Sequence, residues 1–225
     1  MFTPKTVAID GPSAVGKNAV GSLLAKRLGY RFVDTGAMYR ALTWKAIQLG
    51  IDLTNEETLA KLAVETDINL IPSENDEPYH IIVNGHDVSH DIRSDSVEKG
   101  VSLVSKVAGV RQVLVAQQRD LAQNDHVVMV GRDIGTVVLP DADLKIFLSA
   151  SVGERAHRRH RELVKCGVQS DYESVQASLE MRDRIDSERT VSPLQPALDA
   201  TVIETDDIDE EHVLAQILDM IKAHR

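Results

Sequence analysis

Apolar and polar positions along the 225-residue chain follow two alternating rhythms. Short apolar runs stand at 6–10 (TVAID), 30–34 (YRFVD), 126–130 (HVVMV), 144–148 (LKIFL) and 200–204 (ATVIE). Runs this short and β-branched suit strands buried in a parallel sheet. Between them apolar residues recur at helical spacing. Over 17–28 they fall at 20, 23, 24 and 28, and Gly29 marks the stop. Helices are predicted likewise over 37–49, 95–106, 110–123, 152–165, 172–186 and 210–223. Thr54, three residues ahead of Glu57, reads as a capping box that opens one more. The last helix starts with acids and ends near Lys222, which suits its dipole.

The rhythm breaks between 67 and 88. DINLI and YHIIV are strand-like, with the polar PSENDE between them and Asn84-Gly85 after them. That pattern predicts a small antiparallel insertion. The fold class is therefore α/β: one domain with a doubly wound, parallel five-stranded sheet carrying a small antiparallel β insertion. Such sheets bind ligands beyond the carboxyl ends of their strands. Here those ends lead into 11–17, 34–39, 131–135 and the stretch after Leu148, the loops richest in Gly, Asp and Arg.

Charge and composition remove some partners. Lys and Arg number 25 against 35 Asp and Glu, a formal net charge of −10. That balance argues against a general affinity for nucleic acid. One cysteine, Cys166, allows no internal disulfide and fits a reducing compartment. No apolar run approaches membrane-spanning length, so no membrane partner is expected. The expectation is a cytoplasmic protein without a secretory leader.

Four stretches carry candidate chemistry. GPSAVGK (11–17) completes G-x-x-x-x-G-K between a strand and a helix. Its backbone N–H groups and the helix N-terminus would face one spot, and Lys17 adds a charge that reaches β- and γ-phosphates. DTGAMYR (34–40) opens a helix with Thr35 and Gly36, and Arg40 lies one turn in; the plain alternative is Thr35 as an N-cap. In GRDIGT (131–136), Arg132 suits a phosphate clamp, and Asp133 suits a magnesium-holding carboxylate or a turn with a local ion pair. ERAHRRHR (154–161) and RDRIDSER (182–189) gather Arg in an acidic chain. They suit either a helical lid closing over polyphosphate or ordinary pairing with neighbouring acids. His157 and His160 are read as solvated, since the surrounding Arg repel a cation. Trp44 is read as packing, and Cys166 receives no role.

Together these motifs resemble the bacterial cytidylate kinase family of P-loop nucleoside monophosphate kinases. IDGPSAVGK, DTGAMYRA, the insertion ending in NGHDVSHDIRS, VRQVLVAQQR, GRDIGTVVLPDADLKIFLSAS, ERAHRR and RDRIDSER match it in order over nearly the whole chain. The resemblance implies transfer of the γ-phosphoryl group of ATP to CMP or dCMP with Mg²⁺, by a monomer. It implies an acceptor-binding insertion over about 35–110 and an Arg-rich lid over about 151–188.

By the same resemblance ATP would meet Gly11, Pro12, Ser13, Ala14, Val15, Gly16, Lys17, Asn18 and Ala19, with Arg158 from the lid. Cytosine contacts fall on Ser102, Arg111 and Asp133, and ribose contacts on Arg182 and Asp186. Thr35, Arg40, Arg132 and Arg189 match acceptor-phosphate ligands, and Tyr39 packs beside them. Lys17, Arg132, Arg182 and Arg189 become the catalytic set. Asp133 then reads as the base-contacting group, because a carboxylate accepts from the exocyclic amine that separates cytosine from uracil.

The loop departs from the family at three positions. Ala14 replaces a glycine, and Asn18-Ala19 stand where Gly-Thr or Ser-Thr is usual. A lost hydroxyl removes a ligand to metal or phosphate, and the replacements open on sequence grounds are Asn18, a backbone group, or waters held by Asp34, the candidate metal residue. Ala14 is strained if its φ is positive. Two alternatives remain on sequence grounds: a small-molecule kinase with another acceptor, and a catalytically weak nucleotide-binding or regulatory protein.

Overall fold

A computed structural model describes residues 3–73, 78–123 and 126–223. Five strands form the central sheet: β1 (Thr6–Asp10), β2 (Arg31–Asp34), β6 (Val127–Gly131), β7 (Leu144–Ser149) and β8 (Thr201–Glu204). Their order is β2-β6-β1-β7-β8, and every pairing is parallel. The expected doubly wound sheet is present. Every residue of β6 is buried, as its continuous apolar run requires.

Helices cover both faces. On one lie α1 (Lys17–Leu28) and α8 (Glu210–Ala223), packed through Val20, Leu24, Ile146 and Ile217. On the other lie α2 (Thr35–Gln48), α3 (Glu56–Glu65), α4 (Asp95–Ser105) and α5 (Ala108–Ala122). Met38, Leu42, Leu59 and Leu114 fill that second core, and Trp44 packs against it as expected. The strands β3 (Ile68–Pro72), β4 (Tyr79–Val83) and β5 (His86–Asp87) make the antiparallel insertion. Its third strand, two residues long, gives no periodicity to read. Most of the PSENDE linker lies outside the described residues. The last pair, α6 (Val152–Lys165) and α7 (Tyr172–Glu188), forms the Arg-rich hairpin.

Two helix starts are capped by an Asx residue rather than by the threonine beside it. The cap of α3 is Asn55, whose side chain accepts from the Thr58 N–H; Thr54 instead bonds Asp52 through its N–H and hydroxyl. The cap of α2 is Asp34, which leaves the Thr35 hydroxyl free to donate to the Val130 carbonyl at 2.9 Å. In both cases an Asx side chain one position away from the hydroxyl residue reaches the exposed N–H groups. The GRDIGT turn is a π-type turn, Ile134–Val138, rather than a simple bend.

The histidines of the hairpin do more than face water. His157 stacks on Tyr172 with ring centroids 4.5 Å apart, and His160 Nδ1 lies 3.0 Å from Ser170 Oγ. Both contacts hold α6 against the start of α7. Cys166 is free and exposed.

Candidate active site

Register brings the site together. Asp10 pairs with Gly131 and Phe147, and Asp34 pairs with Val130, so three strands end at one level of the sheet. The loops that follow are 11–17, 35–40 and 132–135. The Asp10 carboxylate binds two of them to each other, accepting from the Ile134 and Gly135 N–H groups at 2.8 Å each. Burial pushes this carboxyl up to about 6 despite those bonds. Sequence reading gave Asp10 no role, because one acid ending a strand carries no pattern.

The phosphate loop has the shape its glycines predict. Gly11 tolerates no Cβ, which would stand 2.5 Å from the Leu148 carbonyl oxygen, and Gly16 has φ 97°. Lys17 is buried and donates to the Pro12 carbonyl at 3.0 Å. Burial, then the charge of Arg132, pulls its pKa well below the ordinary lysine value. An incoming polyphosphate would oppose both effects. Ala14 sits at φ 60°, so the departure from glycine does place a Cβ in the left-handed region.

Asn18 also has a definite place. Its side-chain amide donates to Asp34 Oδ2 at 2.5 Å, and the Tyr79 hydroxyl donates to the same oxygen at 2.7 Å. Asp34 Oδ1 receives the Ala37 N–H at 3.3 Å. A carboxylate offers about four lone-pair directions, so one remains for a water on a metal ion. Asp34 thus fits a water-mediated magnesium site and does not fit a direct one crowded by several ligands. Among the described residues no cluster of three or more His, Cys, Asp or Glu suits a metal ion.

Beside the loop the guanidinium groups meet carboxylates in three sets. Arg111 donates to Asp133, both nearly inaccessible, and Arg189 lies 3.6 Å from the other Asp133 oxygen. Arg132 Nε donates to Asp186 at 2.9 Å. Arg40 and Arg182 share Glu98, with Arg182 at 2.5 Å. Ser102 is buried one helical turn beyond Glu98 on α4. Tyr39 lies under Arg111, whose guanidinium carbon is 5.4 Å from the ring centroid. Two polar atoms here, Arg111 Nε and Arg182 Nε, are buried without a hydrogen-bond partner.

Positive charge is therefore packed tightly. Burial and the neighbouring Arg132 pull Arg182 down to about 10, and burial with Arg111 lowers Arg189. Burial would raise the Asp186 carboxyl, but Arg132 and Arg182 outweigh it and hold the group below its usual range.

On the other side of the loop, Val15, Gly16, Arg158, Thr205, Ile208 and Val213 help line a cavity of about 530 Å³. Arg158 anchors there on Glu154, on the Val15 carbonyl and on Thr205. Arg155, which sequence reading only grouped with the other arginines, ties the hairpin to the loop. It donates to the Ser13 carbonyl at 3.1 Å and takes Asp183 in both arms.

Of the residues expected from sequence, Arg40, Arg111, Arg132, Asp133, Arg182, Asp186 and Arg189 take part in these ion pairs, Arg158 stands against the loop at Val15, and Ala19 is exposed. Glu98 and Asp10 are the additions that only the fold supplies.

A profile of the cytidylate kinase family matches residues 7–223. The chain belongs to the cytidylate kinase family. Cytidylate kinase of Geobacillus sp. (strain WCH70) is 50% identical over 215 residues, covering 96% of this chain and 95% of its own. That of Bacillus subtilis (strain 168) is 46% identical over 217 residues, covering 96% of each. Among solved structures, a gluconokinase from Sinorhizobium meliloti 1021 shares the fold at TM-score 0.51 and 15% identity, covering 99% of this chain and 94% of its own.

Proposed function

We propose that this member of the cytidylate kinase family transfers the γ-phosphoryl group of ATP to CMP or dCMP, giving ADP and CDP or dCDP. The observation that carries the reading is the convergence of Arg111–Asp133, Arg132–Asp186 and Arg40–Arg182 on one side of Lys17. Such a set is a receptor for a base with a donor–acceptor edge joined to a dianion.

Asp133 accepts from the cytosine exocyclic amine while Arg111 and Ser102 donate to the rest of that edge. Uracil presents a carbonyl where the amine would be, so the carboxylate repels it. Arg182 and Asp186 take the ribose. Thr35, Arg40, Arg132 and Arg189 take the acceptor phosphate. ATP occupies the loop Gly11–Ala19, with its base in the cavity beneath Arg158.

The acceptor phosphate is already ionised at neutral pH, so no side chain has to remove a proton from it. Lys17 and the arginines hold donor and acceptor in line and offset charge on the group in flight. Asp34 would hold Mg²⁺ through water, and the ion would supply neutralisation of polyphosphate charge. Asn18 orients Asp34 in place of a direct hydroxyl ligand. We assign the hairpin α6–α7 as the lid, which excludes water once both substrates are present, and the insertion over about 35–110 as the acceptor-binding part. The chain acts as a monomer in the cytoplasm on small-molecule substrates.

The test is a coupled assay of ADP release with ATP, Mg²⁺ and each nucleoside monophosphate. CMP and dCMP should turn over well and UMP poorly. Absence of turnover with both cytidine nucleotides at every metal concentration refutes the reading.

A further inference from the structure

Glu98 has no part in that scheme, yet it occupies a central position. It stands on α4, and its two carboxylate oxygens are divided between Arg40 on α2 and Arg182 on α7. Burial would raise its pKa, but Arg40 and Arg182 outweigh burial and hold the carboxyl at about 2. The same contact reverses the effect of burial on Arg40, which rises above its ordinary value. Glu98 is therefore ionised throughout the working pH range and satisfies two guanidiniums at once. It also joins the acceptor-side helices to the hairpin, since α2 and α4 belong to the former and α7 to the latter. About a quarter of its side chain remains exposed, so a path to water is open.

We propose that Glu98 is a resident counter-ion that stands in for the acceptor's phosphate in the free protein and must release Arg40, and at least partly Arg182, when the acceptor binds. The proposal rests on the reading that these two arginines meet CMP. A dianionic phosphoryl group offers three oxygens and more charge than one carboxylate, so it displaces Glu98. A neutral nucleoside or a weakly charged anion does not. Glu98 thus raises the acceptor concentration needed for half-saturation, while keeping two crowded arginines compensated when no acceptor is bound. The exchange frees α7 from α4 as the acceptor arrives, and so couples acceptor entry to hairpin movement.

The deciding variant is Glu98→Gln, which removes the charge and keeps the shape. Its KM for CMP should fall three- to tenfold, with kcat changing less than twofold. In thermal melts the free variant should be less stable than the wild type, and the rise in Tm on adding CMP should be larger. Glu98→Asp, whose shorter arm spans one guanidinium rather than two, should lie between. A KM that is unchanged or higher in both variants overturns the proposal, because a purely supporting role for Glu98 would weaken CMP binding. A parallel titration uses inorganic phosphate, with the phosphate loop filled by a non-hydrolysable ATP analogue. Phosphate should bind Glu98→Gln at least threefold more tightly than wild type. Tighter phosphate binding without CMP turnover by the wild type would refute the substrate reading and leave the counter-ion standing. Wild-type CMP turnover with unaltered phosphate affinity in the variant would do the reverse.

Discussion

On the proposed assignment, the two sides of Lys17 recognise phosphate by different means. On the donor side the contacts come largely from backbone: the turn Gly11–Gly16, the N-terminus of α1, and carbonyls that anchor Lys17 and Arg158. On the acceptor side they come from side chains, with Arg40, Arg111, Arg132, Arg182 and Arg189 each set against a carboxylate. A backbone cradle tolerates exchange of the residues that build it, so long as the turn keeps its shape. A lattice of guanidiniums and carboxylates does not, because removing one charge strands another in a poorly hydrated place. On that assignment Ala14, Asn18 and Ala19 lie in the backbone cradle, apart from the side-chain lattice.

The comparison predicts large effects on the acceptor side and small ones in the loop. The largest is Arg132→Ala, which should lower kcat/KM with CMP roughly a thousandfold, the scale of losing a phosphate-clamping arginine. Its partner Asp186 keeps Arg182 and Arg189 nearby, so the Tm should move little. Wild-type kcat/KM would remove Arg132 from the acceptor phosphate.

Asp133→Ala comes next, read as stability. It strands Arg111 in a buried site and should cost about 3 kcal/mol or more. In a chain of this size that is a fall in Tm of roughly 6–12 °C. An unchanged Tm would mean that the Arg111 guanidinium finds water or another acceptor.

A smaller effect depends on pH. The Glu98 carboxyl lies below its ordinary value of 4.5, at about 2 in the folded chain. Its folded pKa is depressed, so its contribution to stability is complete above about 4.5 and disappears as pH falls through about 2. The Tm difference between wild type and Glu98→Gln should therefore be full at pH 6 and shrink across that acidic window. A difference that stays constant down to pH 2 would show that charge is not its source.

The smallest effect belongs to the loop. Ala14→Gly relieves a Cβ at φ 60° but loosens the unfolded chain, and these terms partly cancel. The net gain should stay below about 1 kcal/mol, a rise in Tm of no more than roughly 4 °C. A gain of several kcal/mol would reveal strain in the loop beyond one residue.

Much of the molecule was legible from the chain alone. Five apolar runs gave the strands of the main sheet, and glycine stops placed the ends of α1 and α2. What escaped is informative. Asn55 displaced the expected Thr54 cap, and Asp34 rather than Thr35 caps α2, because several residues near a helix start compete for the same N–H groups and local pattern does not rank them. The strand β5 has two residues and exists through pairing with β4. Glu98 is a single acid among several on α4, and its importance depends on what α2 and α7 bring to it.

By itself, then, the sequence determined the alternation of strands and helices, the phosphate loop, and the gathering of arginine in two neighbouring segments. Those are properties of local spacing, of glycine where a turn admits no Cβ, and of charge density along the chain. The tertiary structure decided which charge meets which. Parallel register set Asp10, Asp34 and Gly131 at one level, and packing of α4 against α2 and α7 placed Glu98 between two arginines separated from it by 58 and 84 residues. The interaction of two charges depends on their separation in space and on the water excluded between them, and neither quantity is written in their order along the chain.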